Sequence, residues 1–322
     1  MVSDFNWGTS GDEVVSTFSN RVKDRIFVIT GPSQNGIGAE TACALAAASP
    51  ATLILAGRSE SKVAPVIQSV HDINPNVKTI FIPLDLSSQA SVRAAAAKIN
   101  QIVDKIDVLI NNAGIMACPY GTTEDGIEKQ FGTNHIGHFL FTNLLLEKIK
   151  AAGPGARIVN VASSAHRFSG IRVNDIEFKD GSEYDPWDAY GQSKSANILF
   201  AKYFASKVPS KDIACIALHP GSILSELVRY TDMPLLLKAK SRAEKIPNYE
   251  KTDRKSLQQG CATTLVAALD PELQDESGIY LSDCQVNIPA AHADDAEVAE
   301  KLWNLSEEIV GQKFPLSGRW AV

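Results

Sequence analysis

No CxxC pair occurs in the sequence, and its five cysteines, Cys43, Cys118, Cys215, Cys261 and Cys284, are an odd set. A disulfide framework and a thiolate zinc site are thereby excluded, and reduced thiols in a reducing compartment are expected. No apolar run reaches the length of a membrane span. Basic residues do not outnumber acidic ones: 31 Lys and Arg against 37 Asp and Glu leave a formal charge of −6. A nucleic-acid partner, which needs a basic face to displace counterions, is excluded. The opening MVSDFNWGTSGDEVV has neither a basic region nor an apolar core. No signal peptide is expected, and the cytoplasm is the expected compartment. Internal repeats and low-complexity tracts are absent as well.

What is present is the pattern of an ordinary globular chain, 44% hydrophobic and 21% charged over 322 residues. Short apolar runs at Arg25–Thr30, Thr52–Ala56, Thr79–Ile82, Val108–Ile110, Arg157–Val161, Ile213–Leu218 and Ile279–Leu281 predict buried strands. Helical patterns fall between them, at Gly38–Ala48, Ser61–His71, Ser88–Asp104, Thr123–Ala151, Ala189–Val208 and Arg254–Leu269. Alternating strands and helices imply right-handed crossovers. The expected fold is therefore α/β: a single doubly wound Rossmann-type domain over residues 1–322, with a parallel sheet of about seven strands and helices on both faces. Three stretches stand outside this rhythm: an N-terminal arm (1–22) with a short helix at Asp12–Phe18, a charged insertion at Val173–Trp187, and a Leu- and Lys-rich segment, 222–252. Long excursions in compact α/β domains are commonly functional, so 222–252 is read as a substrate-side lid.

The first strand runs directly into Gly31, Pro32, Ser33, Gln34, Asn35, Gly36, Ile37 and Gly38, followed by AETACALAAA. Glycines here permit a tight turn and close approach of a pyrophosphate, which the helix start then meets with free N–H groups. A glycine cluster is weak evidence alone; its place between first strand and Ala-rich helix makes it specific. Gly31, Ser33, Gly36, Ile37 and Gly38 are the expected contacts. Where an NAD site would carry an acid at the end of the second strand, this chain has Gly57 and Arg58, with Lys62 beyond. A guanidinium suits a 2′-phosphate, so NADP(H) is the expected cofactor.

Tyr190 and Lys194, in YGQSK, share one helix face. A neighbouring ammonium favours the phenolate; bringing a tyrosine from about 10 to about 7 takes about 4 kcal/mol. Lys194 together with a cationic nicotinamide is expected to supply it in oxidation, and Tyr190 to donate its proton in reduction. Ser163 follows the strand Arg157–Val161, at the strand end where open sheets place ligands; Ser164 adjoins it, and one of the two is a turn serine. His135 and His138 form an HxxH without a third ligand, and no metal is expected. Tyr184 and Trp187 read equally as pocket lining or surface anchors.

With these residues assembled, the chain resembles the classical short-chain dehydrogenase/reductase family from Asp24 to Leu281. The ordered motifs are Thr30–Gly38, Asp85 with Leu86, Asn111 to Gly114, Asn134, Ser163, Tyr190 with Lys194, and Pro220 with Gly221. TNHIGHF, SSAHRF and YGQSKSANILF are most similar to its retinol-dehydrogenase-like and WW-domain-oxidoreductase-like branch, including fungal relatives. The resemblance implies that Asp85 binds the adenine amino group and Leu86 adds a backbone contact. It implies that Asn111, Asn112, Ala113 and Gly114 line the cofactor and steady the central strand. Asn134 would hold a water linking Lys194 to solvent, Lys194 would bind the nicotinamide ribose, and Pro220, Gly221 and Ser225 would meet the nicotinamide end. Asn134, Ser163, Tyr190 and Lys194 are thus the implied catalytic set, and a homodimer through the helices bearing Asn134 and Tyr190 is implied. The chain departs from the family in a glycine loop one residue longer, with Pro32 lacking an N–H, in Ala162 for a serine, and in Ser225 for a threonine.

The leading expectation is an NADPH-dependent carbonyl reductase or alcohol dehydrogenase acting on an aldehyde or ketone. Two rivals stand beside it: a dehydratase or epimerase on the same fold, and a cofactor-binding scaffold or sensor without turnover. Specificity is expected from Met116–Tyr120, Arg167–Trp187 and 222–252, whose composition suggests a mixed, partly apolar pocket.

Overall fold

The computed structural model describes residues 4–246 and 253–316. Its strands are β1 (Ile26–Thr30), β2 (Thr52–Gly57), β3 (Lys78–Pro83), β4 (Val108–Asn111), β5 (Ala156–Val161), β6 (Ile213–His219), β7 (Tyr280–Ser282) and β8 (Gln285–Asn287). They form one sheet in the order β3-β2-β1-β4-β5-β6-β7-β8. The first seven are parallel, as their nearly continuous apolar runs require when both faces are covered. The eighth, antiparallel to β7, was not anticipated: Gln285, Val286 and Asn287 carry no apolar run to mark it.

The helices are α1 (Gly11–Thr17), α2 (Ile37–Ala46), α3 (Glu60–Ile73), α4 (Gln89–Ile102), α5 (Lys129–Phe131), α6 (Gly137–Lys150), α7 (Pro186–Lys207), α8 (Met233–Ala243), α9 (Leu257–Leu269) and α10 (Ala296–Ile309). Two apolar cores lie on opposite sides of the sheet. Val14, Leu45, Val66 and Leu265 bring α1, α2, α3 and α9 to one core. Ile99, Phe139, Phe204 and Trp303 bring α4, α6, α7 and α10 to the other. The strand order reverses between β1 and β4, which opens a crevice at their carboxyl ends, the place where doubly wound sheets bind ligands.

Several expectations are corrected. The helical pattern at Thr123–Ala151 begins at Lys129, because Thr122 and Glu128 bridge across a turn. It then passes through a π-helical segment, Gly132–Ile136, before α6. The N-terminal arm, with its helix α1, packs on the sheet: Phe5, Val14, Val15 and Val22 are buried, and Gln285 donates to the Phe5 carbonyl at 2.5 Å. Helix α10 lay beyond every sequence motif. Trp303 packs edge-on against Phe139 of α6 at 4.9 Å and stacks on Tyr203 of α7 at 4.8 Å. Helix α10 thus lies across α6 and α7. Of the 222–252 segment, residues 247–252 lie outside the described residues. Among those described, no helix is long and apolar enough to cross a membrane.

Candidate active site

The turn after β1 is held from three sides. Gly31 has φ +66°, and a Cβ there would stand 2.8 Å from that of Ala113, so only glycine fits. Asn112 Nδ2 donates to the carbonyls of Thr30 at 2.8 Å and Gly31 at 3.3 Å. The extra residue is accommodated by a turn in which Gly36 N donates to Ser33 O at 3.1 Å and Asn35 takes φ +60°. Gln34 N reaches Lys62 O at 3.4 Å, bringing the loop to the start of α3, close to Arg58. Gly36 is the N-cap of α2, whose N-terminus faces the crevice with Ile37 half-buried and Gly38 buried against Asn112. This cradle, built on a helix N-terminus where a side chain has no room at Gly31, fits a pyrophosphate.

Around it, Arg58 is exposed at the end of β2. Asp85 is half-buried, its Oδ1 accepting from Ser87 N at 2.9 Å and Ser87 Oγ at 2.7 Å, and Leu86 is buried. Asn111 does not join the crevice lining: its amide donates to Thr142 Oγ1 at 2.9 Å and Asn160 Oδ1 at 2.8 Å, stitching β4 to β5 and α6. Pro220 and Gly221 follow β6; Ser225 caps the turn at Glu226–Tyr230 by accepting from Leu227 N at 3.4 Å.

The four implied catalytic residues converge. Ser163 stands beside the Tyr190 hydroxyl, and its Oγ caps the following turn by accepting from Ala165 N at 3.2 Å; Ser164 is exposed. Burial pushes Tyr190 up to about 12, against the lowering effect of Ser163. Lys194 Nζ lies 5.7 Å from the Tyr190 ring centroid but donates to the Val161 carbonyl at 2.8 Å. Burial also pulls Lys194 down to about 7. Burial thus dominates at Tyr190 and favours the protonated phenol.

Asn134 sits in the π-helical segment, a distortion that recurs at functional positions. Its side chain replaces a strand partner for Ile115, accepting from Ile115 N and donating to Ile115 O, both at 2.9 Å. It also donates to Ser193 Oγ at 2.9 Å, which ties it to the turn of α7 between Tyr190 and Lys194. A Cβ at Gly114 would stand 3.2 Å from Asn134 Oδ1 and 3.5 Å from Lys194 Nζ, so this glycine lets the two groups meet.

Over Tyr190 lies an apolar cluster of Ala117, Ala165 and Trp187, packed with Met116, Phe168, Leu235 and Ala239. The last two belong to α8, which Trp187 Nε1 secures by donating to Leu235 O at 2.8 Å. Asp185 pairs with Lys238 and, at 3.0 Å, with Arg242, which also pairs with Asp188. Trp187 thus packs between Tyr190 and α8, while Tyr184 anchors: its hydroxyl donates to Cys118 O at 2.9 Å.

Sequence reasoning missed the residues that support this group. Gln130 accepts from Ala117 N at 2.8 Å and donates to Tyr184 at 2.8 Å, fixing the pocket wall. Glu128, buried and capping α5, is pushed up to about 7 by burial. Lys255 packs against Gly221 and pairs with Asp283 at 2.6 Å. Gln130 and Lys255 carry no local pattern because their partners lie on other elements, whereas Glu128 accepts from Gln130 N and Phe131 N of the helix it caps. His135 and His138 diverge, His135 toward Ser306 and His138 toward Thr30. Among the described residues no group could hold a metal ion.

A glycine cradle at the switch point, with serine, tyrosine and lysine beside it, defines a Rossmann-type oxidoreductase. Known proteins agree. The pattern of the family described as short chain dehydrogenase matches residues 25–175. Retinol dehydrogenase 12 of Mus musculus is 38% identical over 297 residues, 92% of this chain and 90% of that protein. Short-chain dehydrogenase/reductase prx1 of Penicillium roqueforti is 37% identical over 305 residues, 90% of this chain and 86% of that protein. A solved structure of an uncharacterised protein from Mycobacterium paratuberculosis superposes with a TM-score of 0.69 at 32% identity, covering 91% of this chain and 96% of that one. The chain belongs to the short-chain dehydrogenase family, in its retinol-dehydrogenase-like branch.

Proposed function

We propose that the protein is an NADPH-dependent reductase of apolar aldehydes or ketones, with Tyr190 as the general acid. The observation that carries this reading is the buried group in which Ser163 stands beside a Tyr190 hydroxyl held up to about 12, with Lys194 Nζ 5.7 Å from the same ring. A phenol that keeps its proton is equipped to give it to a developing alkoxide. Ser163 orients the carbonyl oxygen at the same point, and Lys194 holds the ribose and the ammonium charge behind the phenol. Asn134 keeps the far side of Lys194 connected to solvent through water. The nicotinamide, when bound, supplies the hydride.

Arg58 supports the 2′-phosphate form: it is exposed at the strand end where the phosphate would lie, and no acid stands there to accept from a 2′-OH. The cluster of Met116, Phe168, Trp187, Leu235 and Ala239 supports an apolar substrate, with α8 as the lid that excludes water. A reducing compartment suits the five free thiols.

The test is a cofactor titration followed by a carbonyl panel, read by NADPH absorbance for wild type and Tyr190→Phe. The expected result is tighter binding of NADPH than NADH, turnover by wild type, and binding without turnover by the variant. NADPH binding with no turnover of any carbonyl or alcohol would favour a sensor or scaffold instead.

A further inference from the structure

Two of the catalytic residues have their main-chain carbonyls bound by an imidazole. His166 Nδ1 lies 2.6 Å from Ser163 O, and His138 Nδ1 lies 3.0 Å from Asn134 O. A carbonyl only accepts, so in both rings Nδ1 carries the proton. The opposite nitrogens agree. Ala290 N donates to His166 Nε2 at 3.0 Å, which requires Nε2 to be bare. Thr30 Oγ1 lies 2.9 Å from His138 Nε2 and accepts from Asn112 N and Ala113 N, both at 3.0 Å. With both acceptor positions of its oxygen taken, Thr30 gives its own proton to His138. Each ring is thus a neutral Nδ1–H tautomer with both nitrogens in use.

We propose that His166 and His138 are positioning residues, each a neutral imidazole that holds the carbonyl of Ser163 or Asn134 at the spacing the reaction needs. The two braces draw on different parts of the fold. His166 transmits the position of the segment after β8: besides the bond from Ala290 N, its own carbonyl accepts from His292 Nε2 at 2.7 Å. Ser195, which adjoins Lys194, places its hydroxyl 2.7 Å from Ser169 O and 3.0 Å from His166 O, so the turn from Ser163 to Ser169 is fastened beside the lysine. His138 transmits the position of the cofactor turn, because the same Thr30 hydroxyl orders Asn112 and Ala113. Both rings are buried, and burial pulls both well below the usual imidazole range, so they stay neutral through the working pH. Displacement of a reacting group by about 1 Å costs on the order of a hundredfold in rate, so braces of this kind are read in kcat.

The inference rests on the reductase reading, and its test separates the two. An Asn side chain places an amide N–H near the position of Nδ1, whereas Gln reaches the position of Nε2. His166→Asn keeps a donor for Ser163 O; His166→Gln keeps only an acceptor for Ala290 N. The expected result is a kcat loss of about a hundredfold for His166→Gln and less than about tenfold for His166→Asn, with NADPH Kd unchanged in both. The pair His138→Gln and His138→Asn should divide in the same sense. Equal losses in the Gln and Asn variants of an otherwise active enzyme would overturn the inference alone. A wild type without turnover would overturn the reductase reading and this inference with it. Long-range proton–nitrogen NMR on the wild-type protein gives an answer free of folding defects: an Nε2–H tautomer in either ring refutes the proposal.

Discussion

Lys194 Nζ donates to the carbonyl of Val161 at 2.8 Å, so the ammonium is anchored to the end of β5 while it stands beside the Tyr190 ring. Burial pulls it down to about 7. The charged form therefore dominates below that pH and is lost above it. NADPH affinity should weaken as pH rises, by about tenfold between about pH 6 and about pH 8, the worth of one charge-assisted hydrogen bond. Lys194→Met should bind weakly with a flat profile. A sloping profile in the variant, read by fluorescence titration, would remove Lys194 as the source.

Arg58→Ala should raise the KM for NADPH by about tenfold to a hundredfold and leave that for NADH within about twofold. Arg58 is exposed, so thermal stability should not change. Steady-state kinetics with both cofactors decide it; equal effects on the two would mean that the guanidinium does not meet the 2′-phosphate.

Gly31→Ala should destabilise the chain by about 2–4 kcal/mol, from the left-handed backbone and the collision with Ala113. Because the turn itself must move, NADPH binding should be lost even where the variant stays folded. Urea unfolding and cofactor titration on the same sample would read both effects. A variant of wild-type stability would show the turn to be looser than its geometry implies.

Stability should fall steeply in mild acid. Burial pulls His135 to about 3, His138 to about 4, His166 to about 3 and His219 to about 4, all below the ordinary imidazole value of about 6.5. Between these limits the unfolded chain binds protons that the folded chain refuses, so stability drops as pH falls from about 6.5 toward 4. Glu128 works in the opposite sense: its folded form keeps a proton below about 7, which adds stability as pH falls toward 4.5. With four sites against one, the net is up to three protons, a slope of about 4 kcal/mol per pH unit at its steepest. Urea midpoints between about pH 7 and about pH 5 measure it, and a flat curve there would contradict the buried neutral state of these rings.

With α10 across α6 and α7, the protein should sediment near the 34.7 kDa of one chain. A mass of two chains would show that another surface pairs.

The sheet was legible because strands covered on both faces must be apolar at every position, as in β2 and β6. Short β8 and the π-helical segment were not: a three-residue hairpin arm has no period, and the bulge at Asn134 comes from a bond to Ile115 that a helical pattern does not encode. In the site, the glycine turn and the Tyr190, Lys194 pair are local in sequence and could be read directly. Ser163 was placed by the resemblance, whereas its bond from Ala165 N, which makes it the cap of the following turn, was not legible. The bracing histidines were visible only as residues of TNHIGHF and SSAHRF, since Thr30 and Ala290 lie 108 and 124 positions from them. Lys194 and Tyr190 were recognised by spacing, but their titration was not, because burial under α8 and Trp187 is a tertiary property.

The bond from Ala290 to His166 also sets an order of assembly. A chain emerging from the ribosome completes β1, α2 and β4, and with them the dinucleotide cradle, long before Ala290 is made. Its serine turn lacks one of its fasteners until synthesis has run 124 residues past His166. The serine turn thus gains its last fastener only when the segment after β8 has been made, well after β5 has been laid beside β4.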